Sequence, residues 1–225
     1  MKYSTDIWED TFSKKEWGKY PPLALVRFVA LNYYSRSPRS EVKILELGSG
    51  TGANLWYMAK EGITVYGIEG SSVAVERTIK RFKDENLEQN IGKIFSGNYC
   101  HDLNFDNNHF DAIIDIESLY CNPFNQTKEL LSNCFKKLKV GGKLFSMTFA
   151  DGTWGFEGEE VDYHGVNGVD GIMKDLGYGR FTTKEDIEKL YLFPNTKLTN
   201  LERQDRSLMN GKSIKEWIIE IEKIN

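Results

Sequence analysis

The 225-residue sequence predicts an α/β fold: a sheet of about seven strands, mostly parallel, with helices on both faces and an antiparallel C-terminal hairpin. Three observations predict it. From Val42 onward, short apolar runs alternate with helical segments, as parallel βαβ units require. The run Phe110-Asp111-Ala112-Ile113-Ile114-Asp115-Ile116 is apolar at nearly every position, like a strand covered on both faces. Asn210-Gly211 separates two extended stretches, and both residues tolerate the positive φ of a tight hairpin turn.

The elements follow in order along one expected domain, residues 1–225. Residues 1–40 are a helical lead-in, with Trp8, Phe12 and Trp17 spaced to share a face. Pro21-Pro22 ends its first part, residues 23–34 form a second helix, and the segment 35–40 with Pro38 is a loop. Strands are expected at 43–47, 63–68, 91–95, 110–116 and 143–149, and helices at 53–60, 73–84 and 127–138. Gly141-Gly142 closes the last of these helices. Residues 151–181 read as a long irregular insertion rich in glycine and aromatics, the usual character of a lid or binding loop. Residues 184–190 are a helix capped by Thr182 or Thr183, and 198–208 with 213–224 make the hairpin.

Composition narrows the function classes. The net charge of −4 supplies no basic face for nucleic acid, so a DNA partner is not expected. The start, Met1-Lys2-Tyr3-Ser4-Thr5-Asp6, has no apolar signal segment, and no apolar run approaches the ~20 residues that span a bilayer. Cys100, Cys121 and Cys134 lack metal-ligand spacing and suit a reducing compartment. A cytoplasmic protein, monomer or homodimer, is expected, with no metal.

The chemistry concentrates in Glu46-Leu47-Gly48-Ser49-Gly50-Thr51-Gly52-Ala53-Asn54, between the first strand and its helix. Glycines permit a sharp turn and a close approach to a ligand, and the helix N-terminus offers free N–H groups. Glu69, followed by Gly70-Ser71, stands at the end of the second strand, where a carboxylate accepts from both hydroxyls of a ribose. Nicotinamide dinucleotides and S-adenosylmethionine both use this geometry. The spacing is G-x-G-x-G rather than G-x-G-x-x-G, with Ala53 in the third slot, so spacing alone leaves both open.

These residues carry a family resemblance. The loop resembles motif I of the class I, Rossmann-like S-adenosylmethionine-dependent methyltransferases, including the acid two positions before the first glycine. Asp102-Leu103-Asn104-Phe105, His109-Phe110-Asp111-Ala112-Ile113 and Leu138-Lys139-Val140-Gly141-Gly142-Lys143-Leu144 are similar to that family's approaches to strands four and five, and the hairpin to its reversed last strand. The resemblance implies S-adenosylmethionine as cofactor and S-adenosylhomocysteine as product. It implies a cofactor site of Glu46, Gly48, Ser49, Gly50, Gly52, Asn54, Glu69, Gly70, Ser71, Asn98, Tyr99 and Ile116, with Tyr20 as a cap from the lead-in. Asn98 stands where many members have aspartate, and its amide oxygen would accept from the adenine amino group. Tyr99 either packs on the adenine ring or belongs to the core, and the lead-in aromatics suit a cap or simple packing equally.

Methyl transfer from a sulfonium needs alignment first and a base only when the acceptor must lose a proton. Three candidates for that role are His164 and Tyr163 in the insertion and Glu117 just past the fourth strand. A bland reading stands beside each: an exposed loop histidine, a pocket-wall aromatic, a solvated acid. His101 lies in the loop after the third strand, and His109 reads as a surface residue. Trp154, Phe156 and Tyr178 are further candidates for the pocket wall, while Glu157, Glu159, Glu160 and Asp162 either draw a cationic acceptor or face water. Asn122-Pro123-Phe124 lacks the second proline of the Asn-Pro-Pro-aromatic motif of DNA adenine and protein glutamine methyltransferases. Gly50-Thr51-Gly52-Ala53-Asn54, Trp17-Gly18-Lys19-Tyr20-Pro21 and Glu216-Trp217-Ile218 are similar to bacterial methyltransferases of small-molecule and surface-glycan pathways. The expectation is a methyltransferase acting on oxygen or nitrogen of a small molecule, a sugar or other surface-glycan metabolite among the candidates. Its rivals are a protein or RNA methyltransferase, a nicotinamide oxidoreductase and a non-catalytic binding module.

Overall fold

The computed structural model describes residues 4–168 and 170–225, so residues 1–3 of the lead-in and Val169 of the insertion lie outside it. Helices α1 (Ser4–Lys14) and α2 (Leu23–Tyr33) precede β1 (Lys43–Leu47), α3 (Ala53–Lys60), β2 (Thr64–Glu69), α4 (Ser72–Asp84), β3 (Ile91–Ser96) and β4 (Phe110–Ile116). Then come α5 (Phe124–Lys137), β5 (Leu138–Phe149), the short strands β6 (Glu160–Asp162), β7 (Gly165–Asn167) and β8 (Tyr178–Arg180), α6 (Lys184–Tyr191), β9 (Thr196–Ser207) and β10 (Ser213–Lys223).

Seven strands form one sheet in the order β3-β2-β1-β4-β5-β10-β9. The pairs from β3 through β5 are parallel, and β10 runs antiparallel to both β5 and β9. Strand alternation sends apolar side chains to both faces. On one face Leu25, Phe28, Leu55, Met58 and Phe82 of α2, α3 and α4 pack with Ile44, Ile114 and Phe145. On the other, Leu130, Phe135, Leu190 and Tyr191 of α5 and α6 pack with Leu45, Ile113 and Ile219. The winding direction reverses between β1 and β4, so the loops leaving these neighbours diverge and open a crevice at their C-terminal ends.

Three local expectations change. Gly141-Gly142 does not close α5: the helix stops at Lys137, and both glycines lie inside β5, with Gly141 at φ 77°. The insertion is ordered as a three-stranded antiparallel sheet, β6-β7-β8. Its Val166, Met173 and Phe181 pack on Tyr120 and Phe149, seating it beside the ends of β4 and β5. His109 is not a surface residue. It is half-buried among Tyr66, Phe105 and Phe110, because an imidazole packs as an aromatic when its neighbours are rings.

Ile114 is fully buried on β4, between β1 and β5. Ile114→Ala should therefore lower stability by about 2–5 kcal/mol through lost packing and a residual cavity. Urea denaturation checks this, with the midpoint falling and the slope unchanged.

Candidate active site

The crevice is built from backbone that has left the sheet and needs new partners. Glu69 ends β2, buried, and accepts from Gly50 N at 2.7 Å through Oε2 and from Ser71 N at 2.9 Å through Oε1. Burial pushes its carboxyl above the usual range, and bonds from Ser71, Gly50 and Gly70 partly offset this. Asp115, fully buried on β4, does the same for the other loop, accepting from Ser118 N at 3.0 Å, Leu119 N at 2.9 Å and the Ser146 hydroxyl at 2.6 Å. Burial raises it to about 6. Asp115 lies inside an apolar strand, where the sequence carries no local sign of a loop anchor.

The glycines make the expected turn and also permit close packing within the protein. Gly48 and Gly52 have φ 67° and 77°, which alone favours glycine. A Cβ at Gly48 would overlap the Ser118 side chain, and one at Gly52 would overlap Thr78. These two positions let the loop press against its own neighbours, the β4 loop and α4. Only Gly50 turns outward, toward the Phe12 ring at 3.6 Å.

Glu46 is 1% exposed; its Oε1 accepts from Asn54 Nδ2 at 2.5 Å, and Oε2 has no partner. Ser49 Oγ is likewise buried and unpartnered. Burial holds the Glu46 carboxyl well above its ordinary range, with the charges of Glu69 and Asp115 pushing the same way. Ser71 caps α4 through Ala74 N at 3.1 Å and gives its hydroxyl to Glu9 of α1. Asn98 is exposed, and its amide oxygen already accepts from Cys100 N at 2.9 Å in a local turn. The Tyr99 hydroxyl is the hub of a network, meeting Ser118 Oγ at 3.1 Å and Asn122 Nδ2 at 2.9 Å. Ile116 is half-buried at the end of β4. Tyr20 stands 74% exposed, edge-on to Trp56, while Phe12 and Thr5 of α1 are the side chains found against Gly50 and Gly70.

The three expected base candidates fall into two groups. His164, at φ 54°, bonds Asp186 Oδ2 through Nδ1 at 2.7 Å, and the Tyr163 hydroxyl donates to Asp186 Oδ1 at 3.1 Å. Asp186 also closes a capping box with Thr183 at the start of α6. Glu117 instead lies past β4, half-buried, with its carboxyl against Glu216 of β10. Among the described residues no hydrogen bond or ion pair joins the groups. Glu157, Glu159, Glu160 and Asp162 are exposed, and Trp154 bonds Asp170 at 3.0 Å.

Residues 44–142 match a family described as a methyltransferase domain. A ubiquinone/menaquinone biosynthesis C-methyltransferase of Zymomonas mobilis is 26% identical over 168 residues, 70% of this chain and 63% of that protein's length. A solved S-adenosylmethionine-dependent methyltransferase of Methanosarcina mazei superposes with a TM-score of 0.70 at 18% identity, covering 87% of this chain and 97% of its own. The geranyl diphosphate C-methyltransferase of Streptomyces coelicolor, solved with S-adenosylhomocysteine, gives 0.69 at 14% identity, covering 99% and 98%. The orphaned Glu46 oxygen and the acid-lined loop fit a cationic ligand.

Two outcomes are expected. Gly48→Ala should destabilise the domain by about 1–3 kcal/mol from its backbone conformation, with a further loss from the Ser118 overlap. Adding Ser118→Gly should recover only that second part in urea titrations. For Asp186, burial raises the carboxyl, but Thr183 N–H and His164 more than offset this, so it sits below its ordinary value. Its stabilisation is therefore present above about pH 4 and lost as pH falls through the lowered value. Asp186→Asn should flatten that acid limb in a series of thermal melts.

Proposed function

We propose that the protein moves the methyl group of S-adenosylmethionine to an oxygen or nitrogen of a small molecule, working as one domain over residues 1–225. What supports the cofactor most directly is the charge of the crevice. Glu46, Glu69 and Asp115 are buried acids that raise one another or are raised by burial, with one Glu46 oxygen left unpaired. A ligand bearing a sulfonium and an ammonium relieves that repulsion, whereas the pyrophosphate of a dinucleotide adds to it.

In this reading Glu69 takes the ribose hydroxyls and the free Glu46 oxygen takes a donor of the methionine part. Gly48, Ser49, Gly50, Gly52 and Asn54 shape the loop, and Gly70 and Ser71 continue from β2. Asn98 and Tyr99 border the adenine, and Ile116 lines the floor. Bound S-adenosylmethionine supplies an electrophilic methyl; the chain's task is to exclude water and hold the acceptor in line. The insertion, packed on Tyr120 and Phe149, walls the acceptor side. A sugar or related metabolite remains within the proposed acceptor class. Two relatives are carbon methyltransferases by name, so carbon acceptors belong in the screen.

Titration calorimetry with S-adenosylmethionine, S-adenosylhomocysteine and NAD tests this. The sulfur ligands should bind and NAD should not. Glu69→Ala should weaken binding about 10–100-fold, the range for losing hydrogen bonds to a charged acceptor. NAD binding instead would transfer the domain to the oxidoreductases.

A further inference from the structure

We propose that Glu117 and Glu216, a carboxyl pair held by Arg206, take the proton that the acceptor's O–H or N–H gives up as it is methylated. This rests on the methyltransferase reading above. Glu117 follows directly on β4, and its neighbour Ser118 is the residue that presses on Gly48, so the pair begins one residue from the glycine loop. The Glu117 backbone is pinned at φ 53°, its N–H donating to Met147 O of β5 at 2.9 Å. Glu216 lies opposite Phe149 at the end of β5, is 3% exposed, and meets Arg206 Nη2 of β9 at 2.8 Å. It shares its strand face with Ile218, on the α2–α4 side of the sheet, so the pair is separate from the Asp186 group. Glu117 itself is half-buried, which leaves it reachable from the crevice while Glu216 stays covered.

The chemistry follows from two carboxyls and one cation. Arg206 compensates one negative charge; the second carboxyl cannot ionise cheaply beside the first, so the pair shares a proton. Burial, then the bond and charge of Glu216, push Glu117 up to about 9; Asp115 adds to the rise and Arg206 opposes it. Tyr120, on the turn after β4, also faces Glu117. Glu117 is therefore protonated at neutral pH, and it takes the acceptor's proton as its own passes to Glu216. As the acceptor's X–H bond breaks, the proton passes to the pair. The freed electron pair forms the X–C bond, and the S–C electrons remain on sulfur as a neutral thioether. The proton then leaves to solvent.

A pair facing the reacting methyl must also feel the cofactor's charge, which gives a test needing no acceptor. S-adenosylmethionine is cationic at sulfur and S-adenosylhomocysteine is not, while the rest of the two molecules titrates alike. The affinity ratio of the first over the second should rise about ten-fold from pH 7 to 9.5 as Glu117 ionises. Glu117→Gln, which keeps a donor to Glu216, should hold the ratio within about two-fold across that range, as should Glu216→Gln. Arg206→Gln should move the rise to higher pH, because the opposing cation is gone. A flat ratio in the wild-type protein, with both ligands bound, would overturn the pair's role and leave the cofactor reading intact. Binding of neither ligand would overturn the cofactor reading and this proposal together.

Discussion

The reversal of strand order between β1 and β4 is the constraint from which the site follows. Backbone leaving two adjacent parallel strands in opposite directions loses its ladder partners, and buried N–H groups cannot be left bare. Two carboxylates repair the damage. Glu69 gathers the N–H groups of Gly50 and Ser71, and Asp115 gathers those of Ser118 and Leu119. With both loops so tied, Ser118 can lie against Gly48, and the crevice acquires a fixed floor.

That repair carries an electrostatic consequence. Carboxylates are the only side chains that accept several N–H bonds at once without a competing donor, yet they bring charge into a dry place. Glu46, Glu69 and Asp115 are all pushed upward by burial, and Glu46 also by its two neighbours. The same groups that shape the loops therefore make the crevice favour cations. Structure and ligand preference have one cause here, and a positively charged cofactor reduces a penalty that the fold has already incurred.

The legibility of the sequence divides along the same physical line. The glycine loop, Glu69 and the alternating strands were readable because their signals are local: spacing, period and turn chemistry. Thr183 was readable as a cap, but the grip of Asp186 on His164 depends on the insertion folding back over α6. Glu216 read as part of an extended stretch, and its meeting with Glu117 requires the register of β10 on β5. The strands β6, β7 and β8 are three residues each, too short to show a period of two, so the insertion read as irregular. Gly48 and Gly52 were identified correctly as turn residues, though their lack of a side chain serves contacts within the protein.

The helix α1 shows how far the site extends its influence. Eleven residues are too few for a helix to be stable alone in water. Its order must come from docking, and its contacts run to the crevice, to α4 and, through Ile7, to Gly177 of the insertion. Phe12 is 4% exposed and lies toward Gly50, Thr5 meets Gly70, and Glu9 accepts from the hydroxyls of Ser71 and Ser72 at the start of α4. Trp8 stacks on Phe12, and Trp17 closes edge-on over both from beyond the helix end. Glu9 also adds to the upward push on Glu69, so the helix that covers the loop reinforces its acidity. What the sequence offered as a lead-in is thus ordered in part by the loops it covers, and changes at Gly50 or Gly70 would meet α1 directly.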